Sequence, residues 1–161
     1  LEREARDYAR EIRAGVMIEV PAAAAVADRL AGEADFLSIG TNDLIQYIMA
    51  ADRTNARVAS IADPFQPAVL RTIRQVIEAG RSHGIEVGLC GELAAEPMAS
   101  PLLLGFGLEE FSVSAHFIPG LKRALSRWSM AEAEALAREA LDLDTSTAVR
   151  SLLADALRRA G

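Results

Sequence analysis

The chain has 161 residues, 51% of them apolar and 25% charged, with a net charge of −6 at neutral pH. That is enough for one domain with a core of its own, and the acidic balance offers no basic field to nucleic acid. A lone cysteine, Cys90, leaves no partner for an internal disulfide or a paired-cysteine metal site, which suits a reducing, cytoplasmic setting.

The opening stretch, LEREARDYAREIR, reads as a charged helix and not as a secretory leader. The chain starts at Leu1 rather than Met, as a piece of a longer protein would. No apolar run approaches the ~20 residues of a membrane helix, so no membrane insertion is expected.

A first strand is predicted at GVMIEV (15–20), and Pro21 then opens a helix through PAAAAVADRLAGE. The second strand, DFLSIG (35–40), runs straight into Thr41, Asn42 and Asp43. About twenty residues, Leu44 to Pro64, separate it from the next clear helix. Connections are typically ~2–6 residues, and long ones are often functional. This one is expected to begin as a short helix, and it carries Arg53, Asn55 and Arg57.

Pro67 opens a helix whose Val69, Leu70, Ile73, Val76 and Ile77 fall at 3–4 spacing, and Gly84 closes it. IEVGLC (85–90) is the third strand, followed by helical PMASPLLLGFG. EEFSVS (109–114) is the fourth, followed by IPGLKRALSRW. From Ser129 the tail reads as two helices around a polar break. Alternating strands and helices make the class α/β. The nearly continuous apolar strands predict a parallel sheet buried on both faces.

In parallel α/β folds, ligands gather at the carboxyl ends of strands. Here those ends deliver Glu19, the Thr41-Asn42-Asp43 run, Cys90-Gly91-Glu92, and Ser112, Ser114 and His116. Glu19 and Asp43, with a substrate phosphate, would suit Mg²⁺, which prefers hard oxygen ligands and keeps some waters. Either acid could equally cap the next helix. Gly40 to Asp43 could present backbone N–H groups to an anion, or form an ordinary polar turn. Arg53 could grip a phosphate with two parallel hydrogen bonds, or simply be solvated. A lone cysteine is usually a small core hydrophobe, but Cys90 has Gly88 and Gly91 beside it and acids downstream. His83, at a helix end, offsets the helix dipole. His116 faces the strand ends, where a local hydrogen bond is its ordinary role.

MIEVPAA, DFLSIGTNDLIQY, ADRTN, VGLCGELA and FSVSAHFIPGLK, in this order and spacing, closely resemble enzyme I of the bacterial phosphoenolpyruvate:sugar phosphotransferase system. The likeness covers roughly residues 15–125 and falls in that family's C-terminal phosphoenolpyruvate-binding region. It implies the last four βα units of a (β/α)₈ TIM barrel (residues 1–128) and a C-terminal helical extension (129–161). It further implies that Glu19 and Asp43 bind Mg²⁺, and that Asn42 and the Thr41–Asp43 backbone contact phosphate. Arg53 would hold the phosphoryl group, and Cys90 would protonate the enolate as pyruvate forms. A thiol is largely protonated near neutral pH and can donate.

The family's first four strands bring further substrate arginines, and its acceptor histidine lies in a separate N-terminal domain that docks the phosphocarrier protein. Neither is found here, so this piece alone is expected to be inactive in phosphotransfer. The family also forms homodimers. Two departures fall near the site: Ala95-Glu96 stands where a glycine-acid pair is usual, and Thr54 where glycine is frequent. A pyruvate phosphate dikinase or phosphoenolpyruvate synthase relative, and a non-catalytic dimerisation module, are the alternatives.

Overall fold

In the computed structural model, which describes residues 11–160, the four expected strands form one parallel sheet in the order β1-β2-β3-β4. They are β1 (Gly15–Ile18), β2 (Phe36–Gly40), β3 (Glu86–Cys90) and β4 (Glu110–Ser112). Ile18, Ile39, Leu89 and Phe111 lie in one row across the sheet, and Gly40, Cys90 and Ser112 lie in the next row on. The charged helix expected at the N-terminus falls mostly outside the described residues, and residues 11–14 have no regular structure.

The first predicted helix is two short ones, α1 (Pro21–Ala25) and α2 (Ala27–Ala31), broken at Val26. Each half is seated separately by its own buried alanines, Ala24 in α1 and Ala27 and Ala31 in α2. Helix α3 (Thr41–Met49) starts directly at the end of β2 and stops at Ala50, which takes a left-handed φ of 49°. The helix at the start of the long connection therefore begins earlier than expected. The loop proper is residues 50–66, with one 3₁₀ turn at Ala59–Ile61.

Helix α4 (Pro67–His83) buries the predicted stripe, with Val69, Leu70, Ile73, Val76 and Ile77 at most 1% exposed. After α5 (Ser100–Gly105) and α6 (Ile118–Leu125), the tail forms α7 (Met130–Leu141) and α8 (Ser146–Ala160). Ser129 caps α7 with a reciprocal pair of bonds: its hydroxyl accepts the Glu132 N–H at 3.3 Å, and the Glu132 carboxylate accepts the Ser129 N–H at 2.9 Å. Helix α7 lies directly on α5, where a Cβ on Gly105 would collide with the Ala133 carbonyl. Leu136, Ala137, Ala140, Val149, Leu153 and Ala156 of the tail join the same core as the sheet and α4.

The sheet is not buried on both faces. Ile18, Leu37, Ile39, Val87 and Leu89 point into the helical layer and are at most 6% exposed. The alternate residues Met17, Ser38, Cys90 and Ser112 point the other way and are half-buried or exposed. Among the described residues, no helix covers that face. The period-2 geometry of a strand makes this division unavoidable once one layer is present. Nearly continuous apolar strands suggested two covers; serine, glycine and cysteine at alternate positions mark the open side.

Candidate functional site

The carboxyl ends of the strands bring most of the expected residues to one edge. Glu19 follows β1 and lies across the end of β2: a Cβ on Gly40 would sit 3.1 Å from its Oε2. Gly40, lacking a side chain, leaves that space to the carboxylate. The first N–H groups of α3, on Thr41, Asn42 and Asp43, have no intrahelical carbonyl to bond, and Gly40 offers no side-chain cap. They form a concentrated donor set with the positive end of the helix dipole behind them.

The side chains of this run have separate tasks. Thr41 is fully buried, and its hydroxyl donates to the Cys90 carbonyl at 2.7 Å. It joins β2 to β3, so what it can offer a ligand is its backbone. Asn42 accepts the Glu92 N–H on its Oδ1 at 3.0 Å, which fixes the amide and turns its NH₂ group elsewhere. Asp43 accepts a hydrogen bond from Gln46 Nε2 at 3.1 Å. Gln46 in turn accepts the Arg53 backbone N–H at 2.9 Å. One amide therefore couples an acid at a helix start to an arginine across the loop. Gln46 was absent from the sequence-based set; its position three residues after Asp43 on a helix was the available signal.

Local side-chain turns shape the loop around Arg53. Asp52 Oδ1 accepts both the N–H and the hydroxyl of Thr54, at 2.8 and 2.7 Å. Those two bonds hold the Asp52 carboxyl below its ordinary pKa. Asn55 accepts the Arg57 N–H at 3.1 Å. Thr54 thus takes part in the turn through its hydroxyl. At the other departure, Ala95 ends a 3₁₀ turn and Glu96 accepts the Met98 N–H at 3.1 Å. Asn42, Gln46, Arg53, Ala62, Pro64 and Glu92 line a cleft of about 120 Å³.

Cys90 ends β3 on the open face, half-buried. Its thiol donates to the Ile39 carbonyl at 3.5 Å and accepts from the Ser38 hydroxyl at 3.9 Å. Ser38 was also missed, although it shares a face with Gly40 two residues on. Gly91 has φ of 97°, and a Cβ there would lie 2.5 Å from Thr41 Oγ1 and 2.8 Å from Asn42 Oδ1. This glycine lets the β3 turn pack against the α3 start. The histidines stand apart. His83 Nδ1 bonds the Ala79 carbonyl at 2.9 Å at the end of α4, and exposed His116 lies against the neighbouring Phe117 ring, tilted by 42°.

A family model described as "PEP-utilising enzyme, PEP-binding domain" matches residues 1–130. The chain belongs to this family. It is 47% identical over 153 residues to the phosphoenolpyruvate-protein phosphotransferase of Staphylococcus aureus, covering 95% of this chain and 27% of that protein. With the enzyme of the same name from Bacillus subtilis (strain 168) it shares 49% over 139 residues, 86% of this chain and 24% of that one. The Staphylococcus carnosus (strain TM300) protein is 45% identical over 160 residues, covering 99% and 28%. The chain spans about a quarter of the length of these relatives. Among the described residues, no helix of this PEP-binding family member is long and apolar enough to cross a membrane.

Proposed function

We propose that this chain is the phosphoenolpyruvate-binding catalytic segment of a phosphoenolpyruvate-protein phosphotransferase. The observation that carries the reading is the linked set Asp43–Gln46–Arg53 beside the uncapped start of α3, in a chain that belongs to the PEP-binding family. Consecutive strand order with helices on one face supports a further step. The sheet is four successive units of a closed (β/α)₈ barrel, and its open face is the barrel interior. A whole barrel needs ~200 residues or more, so the missing strands and the acceptor histidine belong to the rest of the longer protein. That remainder would also dock the phosphocarrier.

The donor chemistry of two side chains supports a divalent cation. Glu19, just after β1, and Asp43, in the first turn of α3, would supply two hard oxygens, although no group of three or more His, Cys, Asp or Glu that could hold a metal occurs among the described residues. Mg²⁺ held by this pair would complete its shell with water and substrate oxygens, and would offset phosphoryl charge. Arg53, the Asn42 amide and the α3 N–H groups bind and orient the phosphate. The P–O bond to the enol oxygen breaks as the acceptor histidine nitrogen bonds phosphorus. The departing enolate takes a proton at its methylene carbon from Cys90, giving pyruvate and a thiolate that solvent reprotonates. The Ser38 hydroxyl then stabilises the thiolate.

Mn²⁺ tests the metal site directly, because it replaces Mg²⁺ and broadens nearby NMR signals. With phosphoenolpyruvate present, amide signals of residues 18–20 and 40–43 are expected to broaden, and Asp43→Asn to abolish the effect. Broadening centred elsewhere, or unchanged in that variant, would sink the assignment.

A further inference from the structure

The far end of the Arg53 loop is fastened by the tail. Arg150 on α8 reaches Asp63 across 87 positions: Nε donates to Oδ2 at 3.1 Å and Nη2 to Oδ1 at 2.8 Å. The same guanidinium lies over the Phe65 ring, 4.4 Å from its centroid. Phe65 is 1% exposed, so the ring is a fixed platform. Asp63 Oδ1 also accepts the Phe65 N–H at 2.9 Å. The carboxylate thus joins α8 to the backbone of its own loop, and its side chain is 17% exposed. Ala62 and Pro64, on either side of Asp63, line the same cleft as Arg53 and Asn42.

We propose that Arg150 is a positioning residue, through which the tail helix sets the Ala62–Pro64 part of the cleft and so the shape of the cleft that Arg53 also lines. The inference rests on the phosphate-site reading of that cleft. It gives the tail, beyond the matched residues 1–130, a part in substrate binding. Arginine suits the place because it combines a two-bond grip on a carboxylate with stacking on an aromatic face, which lysine cannot reproduce. A second tie provides a control: Arg71 of α4 donates to the Leu141 carbonyl at 2.9 and 3.3 Å, holding the tail without touching the loop.

The test is hydrogen–deuterium exchange on this chain without ligand, followed by Mg²⁺ and phosphoenolpyruvate titration of its chimera with the Bacillus subtilis relative. Arg150→Ala should raise exchange in residues 51–62 by roughly tenfold, with β3 within about twofold of wild type. Arg150→Lys should recover part of the protection, and Arg71→Ala should leave the loop unchanged. Phosphoenolpyruvate affinity should fall about tenfold in Arg150→Ala but not in Arg71→Ala. An unchanged loop in Arg150→Ala, an equal rise in β3, an equal effect of Arg71→Ala, or wild-type affinity in Arg150→Ala would each overturn the proposal. If a chimera joining this chain to the rest of the Bacillus subtilis relative bound no phosphoenolpyruvate, the cleft reading would fail, and exchange would still decide whether Arg150 orders the loop.

Discussion

The two faces of the sheet are built from the same four strands and differ in almost everything else. On one side Ile18, Leu37, Ile39, Val87 and Leu89 are closed under helices. On the other, Met17, Ser38, Cys90 and Ser112 meet no helical layer among the described residues. The covered face tolerates little change because its side chains fill volume against α4 and the tail. The open face carries Ser38, Cys90 and Ser112 beside the larger Met17, and leads directly to the groups that can do chemistry. A fold that places reactive groups on one face and packing on the other separates stability from function, residue by residue.

Truncation on the covered face tests this most severely. Leu89→Ala removes a fully buried side chain and should cost ~2–5 kcal/mol in chemical denaturation. A loss near zero would mean that this face is not a packed core. Gly91→Ala lies at the boundary between packing and site. The strain of a positive φ and the approach to Thr41 and Asn42 should cost ~1–3 kcal/mol, and the Asn42 and Glu92 amide signals should shift with it. In the helical layer, Ser129→Ala removes the α7 cap and should cost about 1 kcal/mol.

A smaller effect appears in acid. Burial works to raise the Asp63 pKa, but hydrogen bonds from Arg150 and the Phe65 N–H, the Arg150 charge and Ser146 together hold it below its ordinary value. A depressed native pKa contributes stability above the unfolded value, and that contribution is lost as pH falls through the native one. Asp63→Asn should therefore be less stable than wild type at neutral pH, with the gap closing below the ordinary carboxylate range. A constant gap between the two melting curves would contradict the linkage. Ser38→Ala, on the open face, should change stability by no more than about 0.5 kcal/mol while altering the rate at which a maleimide labels Cys90. A large stability loss there would erase the distinction between the faces.

Much of this was legible in the sequence because parallel βα units are local. Pro21 and Pro67 mark helix starts, Gly84 marks a helix end, and the apolar runs give all four strands. The strand ends alone bring Glu19, Asn42, Asp43 and Cys90 forward as candidates, and the family resemblance supplies the roles proposed for them. Three features were not fully legible. The open face was hidden because a short strand with apolar residues on both sides looks the same whether or not its second cover is present. The Gln46 bridge was only half legible: its i+3 spacing from Asp43 on a helix was visible, but nothing local marked the Arg53 backbone N–H that its amide oxygen accepts. The Arg150–Asp63 pair joins residues 87 positions apart, and no local pattern records such a contact.

The central claim is that this chain performs the phosphoenolpyruvate chemistry of a larger phosphotransferase. The most direct measurement replaces the matching quarter of the Bacillus subtilis enzyme with this chain and follows pyruvate release from phosphoenolpyruvate. The account predicts Mg²⁺-dependent release that Cys90→Ala slows strongly. A chimera that melts like its parent yet releases no pyruvate, or one indifferent to Cys90→Ala, would contradict it.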